Sequence, residues 1–354
     1  MKLLDFYVGR AVLQSTLVVM LVLLALFAFA AFAGELDNIG KMRYGLADAM
    51  HYSLLLMPGL AYQLFPIVML LGAIIGLGGL AGQSELVAMR AAGVSIKRIV
   101  WAVMKVGILL LVVMAVVGEY VAPRAELRAQ NIKAELLAEK TSFRSEQGLW
   151  ARDGNKVIHI RDLISSEQVA NVSIYEFDKH NQLKVVTQAK RADFNDNQWH
   201  LSDVSSSEIG MEGIRVVSRP TTEWRSLLVP DLIGVVTVDP TALTGPGLYR
   251  YVQYLSDNGL DASRYRLALW KKVMLPVTTM VMIFLAVPFV FGPLRSVGVG
   301  QRIFVGTLFG IAYYLIDQTT GHVGVVYGLT PLMSVLAAPA AFLTVAIVLV
   351  RRIF

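Results

Sequence analysis

The sequence contains no cysteine among its 354 residues. Disulfides, thiolate nucleophiles and cysteine-ligated zinc or iron–sulfur centres are therefore excluded, while an oxidising compartment is permitted. Charge is scarce too: Asp, Glu, Lys and Arg make up 16% of the chain, against roughly 25% in soluble domains. Histidine is sparse, and no two of His51, His159, His180, His200 and His322 have the i, i+4 spacing of a helical metal site. His159 and His200 read as residues of a β surface. No G-x-S-x-G nucleophile elbow occurs. A nucleotide site is also missing. Gly76-Leu77-Gly78-Gly79-Leu80-Ala81 fits the loose dinucleotide pattern but lies in an apolar run with no preceding strand. After Gly40-Lys41, Met42 stands where a phosphate loop needs Ser or Thr.

What the chain does have is apolar length. Hydrophobic residues make up 55% of it, and the mean hydropathy is +0.58. A first span is predicted from about Ala11 to Ala33, uncharged between Arg10 and Glu35. Ala31-Phe32-Ala33 has the form of a signal-peptide cleavage site, but the apolar run exceeds the roughly 7–15 residues of a signal h-region, so an uncleaved span is expected. The uncharged run from Ala49 to Ser84 is too long for one crossing and contains Pro58 and Pro66. It predicts a lead-in helix followed by a span over about 57–81. Gly72 and Gly76, then Gly78 and Gly82, form two G-x-x-x-G pairs that let helices approach closely in lipid. A third span is expected over about 99–121, and three more over about 269–291, 303–320 and 331–350.

Between the third and fourth spans the composition changes. Arg124–Glu139 reads as a helix leaving the membrane. Alternating strands follow at Lys156–Arg161, Asn171–Asp178, Leu183–Ala189, Gln198–Val204 and Ile214–Ser218, with turns at Lys179–Gln182 and Asn195–Asn197. This predicts an antiparallel sandwich or jelly roll. The expected divisions are 1–122 for the first three spans, 123–266 for the β domain with its flanking helices, and 267–354 for the last three spans. With six spans, both termini share a side with the 82–98 and 292–302 loops. On that side Lys2, Arg10, Arg90, Lys97, Arg98, Lys105, Arg295, Arg302, Arg351 and Arg352 face only Asp5 and Glu85. The positive-inside rule makes it cytosolic and the β domain external. The net charge of +6 is thus a topology signal, and nucleic acid is not an expected partner. Lys271 and Lys272 fall on the outer side, after a long domain to which the rule does not apply.

Between two spans lies Ser84-Glu85-Leu86-Val87-Ala88-Met89-Arg90-Ala91-Ala92-Gly93. It reads as a two-turn helix with Ser84 able to cap it, Glu85 at its positive end, Gly93 able to stop it and Ser95 able to start the next. It is either a handle for a cytosolic partner or a plain connecting loop. Asp317, in Tyr313-Tyr314-Leu315-Ile316-Asp317-Gln318, is the acid placed inside a span. Such a residue is a functional candidate, or an interfacial acid that caps a helix or pairs with a lysine. Phe27 and Phe32 on the first span can face lipid, a helix or an acyl chain. Lys41 and Arg43, just outside, can meet phosphates or simply be solvated.

The layout resembles the permease subunits of the bacterial lipopolysaccharide export ABC transporter, the F/G family. The resemblance covers essentially the whole chain. Its specific matches are Ser84–Met89 with Gly93, Gly148-Leu149-Trp150-Ala151-Arg152-Asp153-Gly154, Phe291-Gly292-Pro293-Leu294-Arg295-Ser296 and Leu315-Ile316-Asp317-Gln318, and these look more like the G type than the F type. The resemblance implies an α-helical inner-membrane protein of six spans with a periplasmic β-jelly roll and both termini cytosolic. It implies a permease without its own ATPase site, and no cofactor on this chain, because ATP and magnesium belong to the partner ATPase. The implied partners are an F-type paralogue, two copies of a cytosolic ABC ATPase, a single-span periplasmic jelly-roll protein, a periplasmic bridge protein and lipopolysaccharide. Glu85, Leu86, Ala88, Met89, Arg90 and Gly93 would form the coupling helix, with Glu85 bearing force and Leu86 and Met89 as its packing face. Phe27, Phe32, Ile311, Tyr314 and Asp317 would border lateral gates and the substrate cavity. Family members often carry a base at the outer end of the first span; here that end reads Ala31-Phe32-Ala33-Gly34-Glu35, and Lys41 and Arg43 are expected to take the headgroup role. The competing readings are the F paralogue, a permease for another lipid, or a membrane-anchored periplasmic scaffold or sensor.

Overall fold

The structure, a computed structural model, describes residues 2–137, 143–164, 167–178, 182–195, 198–210, 213–224, 240, 243–292 and 297–353. The chain divides into two compact units: Met1–Ile39, Leu46–Ala129 and Ser263–Phe354 form the first, and Gly40–Gly45 with Gln130–Ala262 the second.

The first unit is helical. Its elements are α1 (Lys2–Gly34), α2 (Leu46–Gly82), the short α3 (Glu85–Ala91) and α4 (Ile96–Val116), which runs through a π-helical segment (Val117–Val121) into α5 (Ala122–Leu137), whose residues from Gln130 onward belong to the second unit. The C-terminal part contributes α7 (Ser263–Phe291), α8 (Val299–Val326) and α9 (Pro331–Ile353). Five stretches among the described residues are long and apolar enough to cross a membrane: Leu3–Asn38, Leu46–Gly82, Ile96–Leu137, Ser263–Phe291 and Pro331–Arg352. The remaining long helix, α8, holds the 303–320 segment and is less apolar because Arg302, Asp317, Gln318 and several glycines interrupt it. Residues 293–296 of the basic loop lie outside the described residues.

One expectation needs correcting. The lead-in helix and the 57–81 span are a single 37-residue helix, α2, that continues through both Pro58 and Pro66. Each proline removes one N–H, but breaking the helix in an apolar surrounding would leave several backbone groups without partners. α2 is also the centre of the unit: Phe65, Val68, Met69, Leu70, Ile74 and Leu77 are essentially inaccessible. The glycine pairs divide their work. A Cβ at Gly72 or Gly76 would sit 2.7–2.8 Å from the Cα of Thr16 or Val12 on α1. In the other direction, Gly306 and Gly310 of α8 receive Leu71 and Ile67 of α2. At about 100° per residue these two sets lie roughly 150° apart around α2, so α1 and α8 pack on nearly opposite sides of it.

The second unit contains β1 (Phe143–Asp153), β2 (Lys156–Leu163), β3 (Gln168–Phe177), β4 (Leu183–Asn195), β5 (Gln198–Gly210), β6 (Gly213–Trp224) and α6 (Gly245–Asp257). The five predicted strands are present and longer than expected, and β1 joins them. All neighbours are antiparallel and in chain order, so the described strands form a meander without a Greek-key crossover. Alternation buries Ile158, Ile160, Val172, Ile174, Leu201 and Val204. Gly154, at φ +58°, allows the tight turn that pairs Asp153 with Lys156. The α6 helix clips this hairpin: Tyr254 Oη donates to the Arg152 carbonyl at 2.8 Å, and Asn258 Oδ1 accepts from Gly154 N at 2.9 Å. Burial holds the Tyr254 hydroxyl above the usual phenol range. Pro220 sits in β6, the last of the described strands, at a position with no register partner in β5. The expected turns at 179–181 and 196–197 lie outside the described residues.

Candidate functional site

The Ser84–Gly93 stretch folds as the helix α3. Its start differs from expectation. Ser84 is left-handed, at φ +60°, and its hydroxyl caps nothing; its carbonyl instead accepts from Val87 N and Ala88 N. The end is as expected. Gly93 has φ +86°, and Val94 N reaches back to the Met89 carbonyl at 3.0 Å, closing a Schellman-type turn. Ser95 is then the extended N-cap position of α4.

The orientation of α3 shows which of its faces the rest of the chain covers. Leu86 is 3% exposed and belongs to the core of the chain, with Met89 packed against the same core. Leu86 points inward, and Met89 is half-buried beside it. The outward face carries Val87, Ala88, Arg90 and Ala91. A cleft of about 330 Å³ opens beside it, lined by Leu86, Val87, Arg90, Ala91 and, from the end of α7, Val290 and Phe291. Glu85 is tied sideways, accepting a hydrogen bond from Tyr7 Oη at 3.2 Å. Asp5 bridges Arg98 at 2.9 Å and Lys105 at 3.4 Å. The two acids of this basic side therefore fasten the start of α1 to α3 and α4.

Further along, α1 parts from its neighbours. Val8, Val12, Thr16 and Val19 are buried, but Leu21, Leu26 and Phe29 are 61–71% exposed, Phe27 is 37% exposed and Phe32 is half-buried. On α8, Phe304, Leu308, Ile311, Tyr314 and Leu315 form an exposed stripe at helical spacing. Phe27 and Phe32 are therefore not brought together with Ile311 and Tyr314. They occupy the two flanks of α2.

Asp317 pairs with a lysine. Lys271 Nζ lies 2.7 Å from Asp317 Oδ2 and 3.2 Å from Gln318 Oε1. The adjacent Lys272 donates to the Gly118 carbonyl at 3.1 Å and to Glu119 Oε2 at 3.2 Å, within the π-helical segment. Two consecutive lysines of α7 thus hold α8 on one side and the π-helical segment on the other. Each of the two lysines has a carboxylate partner. Lys41 and Arg43 are exposed in the Gly40–Gly45 turn, which the chain assigns to the β-domain unit and not to the helical one.

One residue was missed by sequence reasoning. Arg302, expected only as a topology signal, is 3% exposed. Its guanidinium donates to the Gly78 carbonyl and lies over the surface left open by Gly78 and Gly82. The second glycine pair therefore cradles an arginine. The available signal was an arginine one turn inside an apolar helix, with a glycine pair near the same end of another. Among the described residues no group of three or more His, Asp or Glu is arranged to hold a metal.

The family described as lipopolysaccharide export system permease LptF/LptG matches residues 6–352. The lipopolysaccharide export system permease protein LptG of Escherichia coli strain K12 is 36% identical over 99% of this chain and 98% of its own length. The protein of the same description from Haemophilus influenzae is 33% identical over 96% of each.

Proposed function

The chain belongs to the lipopolysaccharide export system permease LptF/LptG family, and from that premise we infer how its parts serve export. It is a permease subunit of an ABC transporter for lipopolysaccharide, a multi-pass membrane protein with an antiparallel β domain. In our reading it sits in the bacterial inner membrane, with both termini and α3 cytosolic and the β domain periplasmic. The ten-to-two excess of basic over acidic residues on the α3 side supports this orientation. It pairs with an F-type paralogue, and two copies of a cytosolic ATPase bind ATP and magnesium on its behalf.

Drawing acyl chains out of a bilayer costs about 0.8 kcal/mol per CH₂, so extraction needs an apolar cavity and an external energy source. α1 and α8 each present an unfinished apolar face on nearly opposite sides of α2. Neither can close on the other within this chain. Each is half of a lateral gate, completed by the paralogous permease, with Phe27 and Phe32 at one and Ile311, Tyr314 and Asp317 at the other. Lipopolysaccharide enters between them, its phosphates meeting Lys41 and Arg43, and passes to the β domain and a periplasmic bridge protein. A single-span jelly-roll protein joins beside the first span.

The observation that carries the coupling assignment is the two-faced α3, rooted in the core through Leu86 and open through Val87, Ala88 and Arg90. The natural absence of cysteine makes it testable. In the purified complex, Ala88→Cys is expected to cross-link to the ATPase, while Leu86→Cys stays shielded. Equal capture at both positions, or none at Ala88, would refute the assigned face.

A further inference from the structure

Away from α1 and from the exposed stripe of α8, an apolar groove of about 1110 Å³ runs between α4, α7 and the end of α9. Its walls include Trp101, Met104 and Ile108 of α4, Met280 and Phe284 of α7, and Val350 of α9. A second cleft of about 600 Å³ shares Met104, Met280 and Phe284 and extends the groove to Pro276 and Leu343. The groove is apolar along its length and basic at one mouth, which is formed by Ser95, Ile96 and Lys97.

Three features point to one kind of occupant. The first is charge. Arg98 and Lys105, neighbours of the mouth, share the single carboxylate of Asp5, which leaves a net positive charge there. Lys97, the basic residue that lines the groove, makes no ion pair among the described residues. Exposed Arg351 and Arg352 directly follow Val350. The second feature is length. From Lys97 to Ile108 the groove follows α4 for about 17 Å at 1.5 Å per residue, close to half of a ~30 Å hydrocarbon core. The third is Trp101, which is 57% exposed one turn from the mouth, where an amphipathic ring marks the membrane–water boundary.

We propose that this groove is a binding site for an anionic glycerophospholipid of the leaflet on the α3 side. The phosphate meets Lys97 and Ser95, and the acyl chains lie along Met104, Met280 and Phe284. The site is separate from both gate faces and serves a resident lipid. It wedges between α4 and α7, the two helices whose ends flank α3, so its occupancy bears on the seating of the coupling helix.

Trp101 reports on the site directly. The full-length chain is placed in nanodiscs of phosphatidylethanolamine containing a small fraction of phosphatidylglycerol brominated on its acyl chains. The Trp101 signal is isolated by difference against Trp101→Phe. Quenching should be about fivefold more sensitive to brominated phosphatidylglycerol than to brominated phosphatidylethanolamine, the preference one lysine gives an anionic lipid. Lys97→Gln should remove the preference, and Met280→Phe, which narrows the groove without adding a tryptophan, should reduce quenching by both lipids. Equal quenching by the two lipids, or a preference that survives Lys97→Gln, would overturn the proposal. Absence of quenching by any lipid would show a protein surface covering the groove, and would also overturn it. Unlabelled lipopolysaccharide that displaced the brominated lipid better than unlabelled phosphatidylglycerol would overturn the choice of lipid.

Discussion

The two N-terminal spans, α1 and α2, are similar in length and unlike in fate. Both are strongly apolar, yet the most apolar part of α1 is almost wholly uncovered within the chain, whereas that of α2 is mostly buried. In lipid, hydrophobicity does not draw helices together, because acyl chains are as apolar as leucine. Close approach does, and close approach needs small residues. α2 carries Gly72 and Gly76 against α1, and Gly78 and Gly82 against Arg302. Along its outer half α1 carries bulky Leu and Phe among Ala25, Ala28, Ala30, Ala31 and Ala33, and most of these residues are left uncovered by the rest of the chain. α2 is the hub that fixes the unit, and α1 is anchored at one end and left available at the other.

The largest effect on this contrast is expected at the α1–α2 contact. Gly72→Val places new atoms against the Thr16 backbone, which cannot yield as a side-chain tip would. It should destabilise the protein by about 3 kcal/mol, seen as a lowered thermal midpoint in detergent. Gly79→Ala, with open space around it, is the control and should be neutral or slightly stabilising. Next is Arg302. Arg302→Met removes a buried charged donor to the Gly78 carbonyl and should cost about 2 kcal/mol, and Arg302→Lys should recover only part because it lacks the guanidinium fork. An undiminished midpoint for Arg302→Met would show that the arginine does not lock α8 to α2.

A double-mutant cycle on Lys271→Gln and Asp317→Asn should give a coupling of about 1 kcal/mol, since the pair is only partly screened, with side chains 27% and 18% exposed. Zero coupling would leave Asp317 free to serve the substrate path alone. The smallest effect on stability belongs to the exposed faces. Phe27→Ala and Ile311→Ala should each change unfolding by less than about 0.5 kcal/mol yet reduce lipopolysaccharide cross-linking and transfer in a reconstituted assay. A large loss of stability at either would mean that these faces are already packed within the chain.

Much of this was legible from residue order. The long apolar runs, the β insert, the left-handed stop at Gly93 and the short helix before it follow from local chemistry, since each depends on neighbours within a few residues. The rest was not, because a backbone can take a conformation that local propensity does not favour and because the neighbour of a helix face comes from far along the chain. Ser84 was expected to cap by its side chain, but the chain turns left-handed there and the carbonyl does the work. Leu86 and Met89 form the apolar side of α3, and periodicity could not say whether that side faces a partner or the chain itself. Pro58 and Pro66 suggested a break, but the surrounding helices leave α2 continuous.

The sequence by itself determined the class of molecule. Scarce charge, long apolar runs and a polar alternating insert admit a membrane-spanning helical protein with a β domain, and the distribution of lysine and arginine is the basis of the proposed orientation. Only the tertiary structure decided what each helix face meets. It gave one glycine pair to α1 and the other to Arg302, matched Lys271 to Asp317 and Lys272 to Glu119, turned Leu86 inward and left Phe27 and Ile311 uncovered. The reason is geometric: helical periodicity fixes which residues share a face, but the neighbour opposite that face comes from far along the chain, and steric fit between the two selects it.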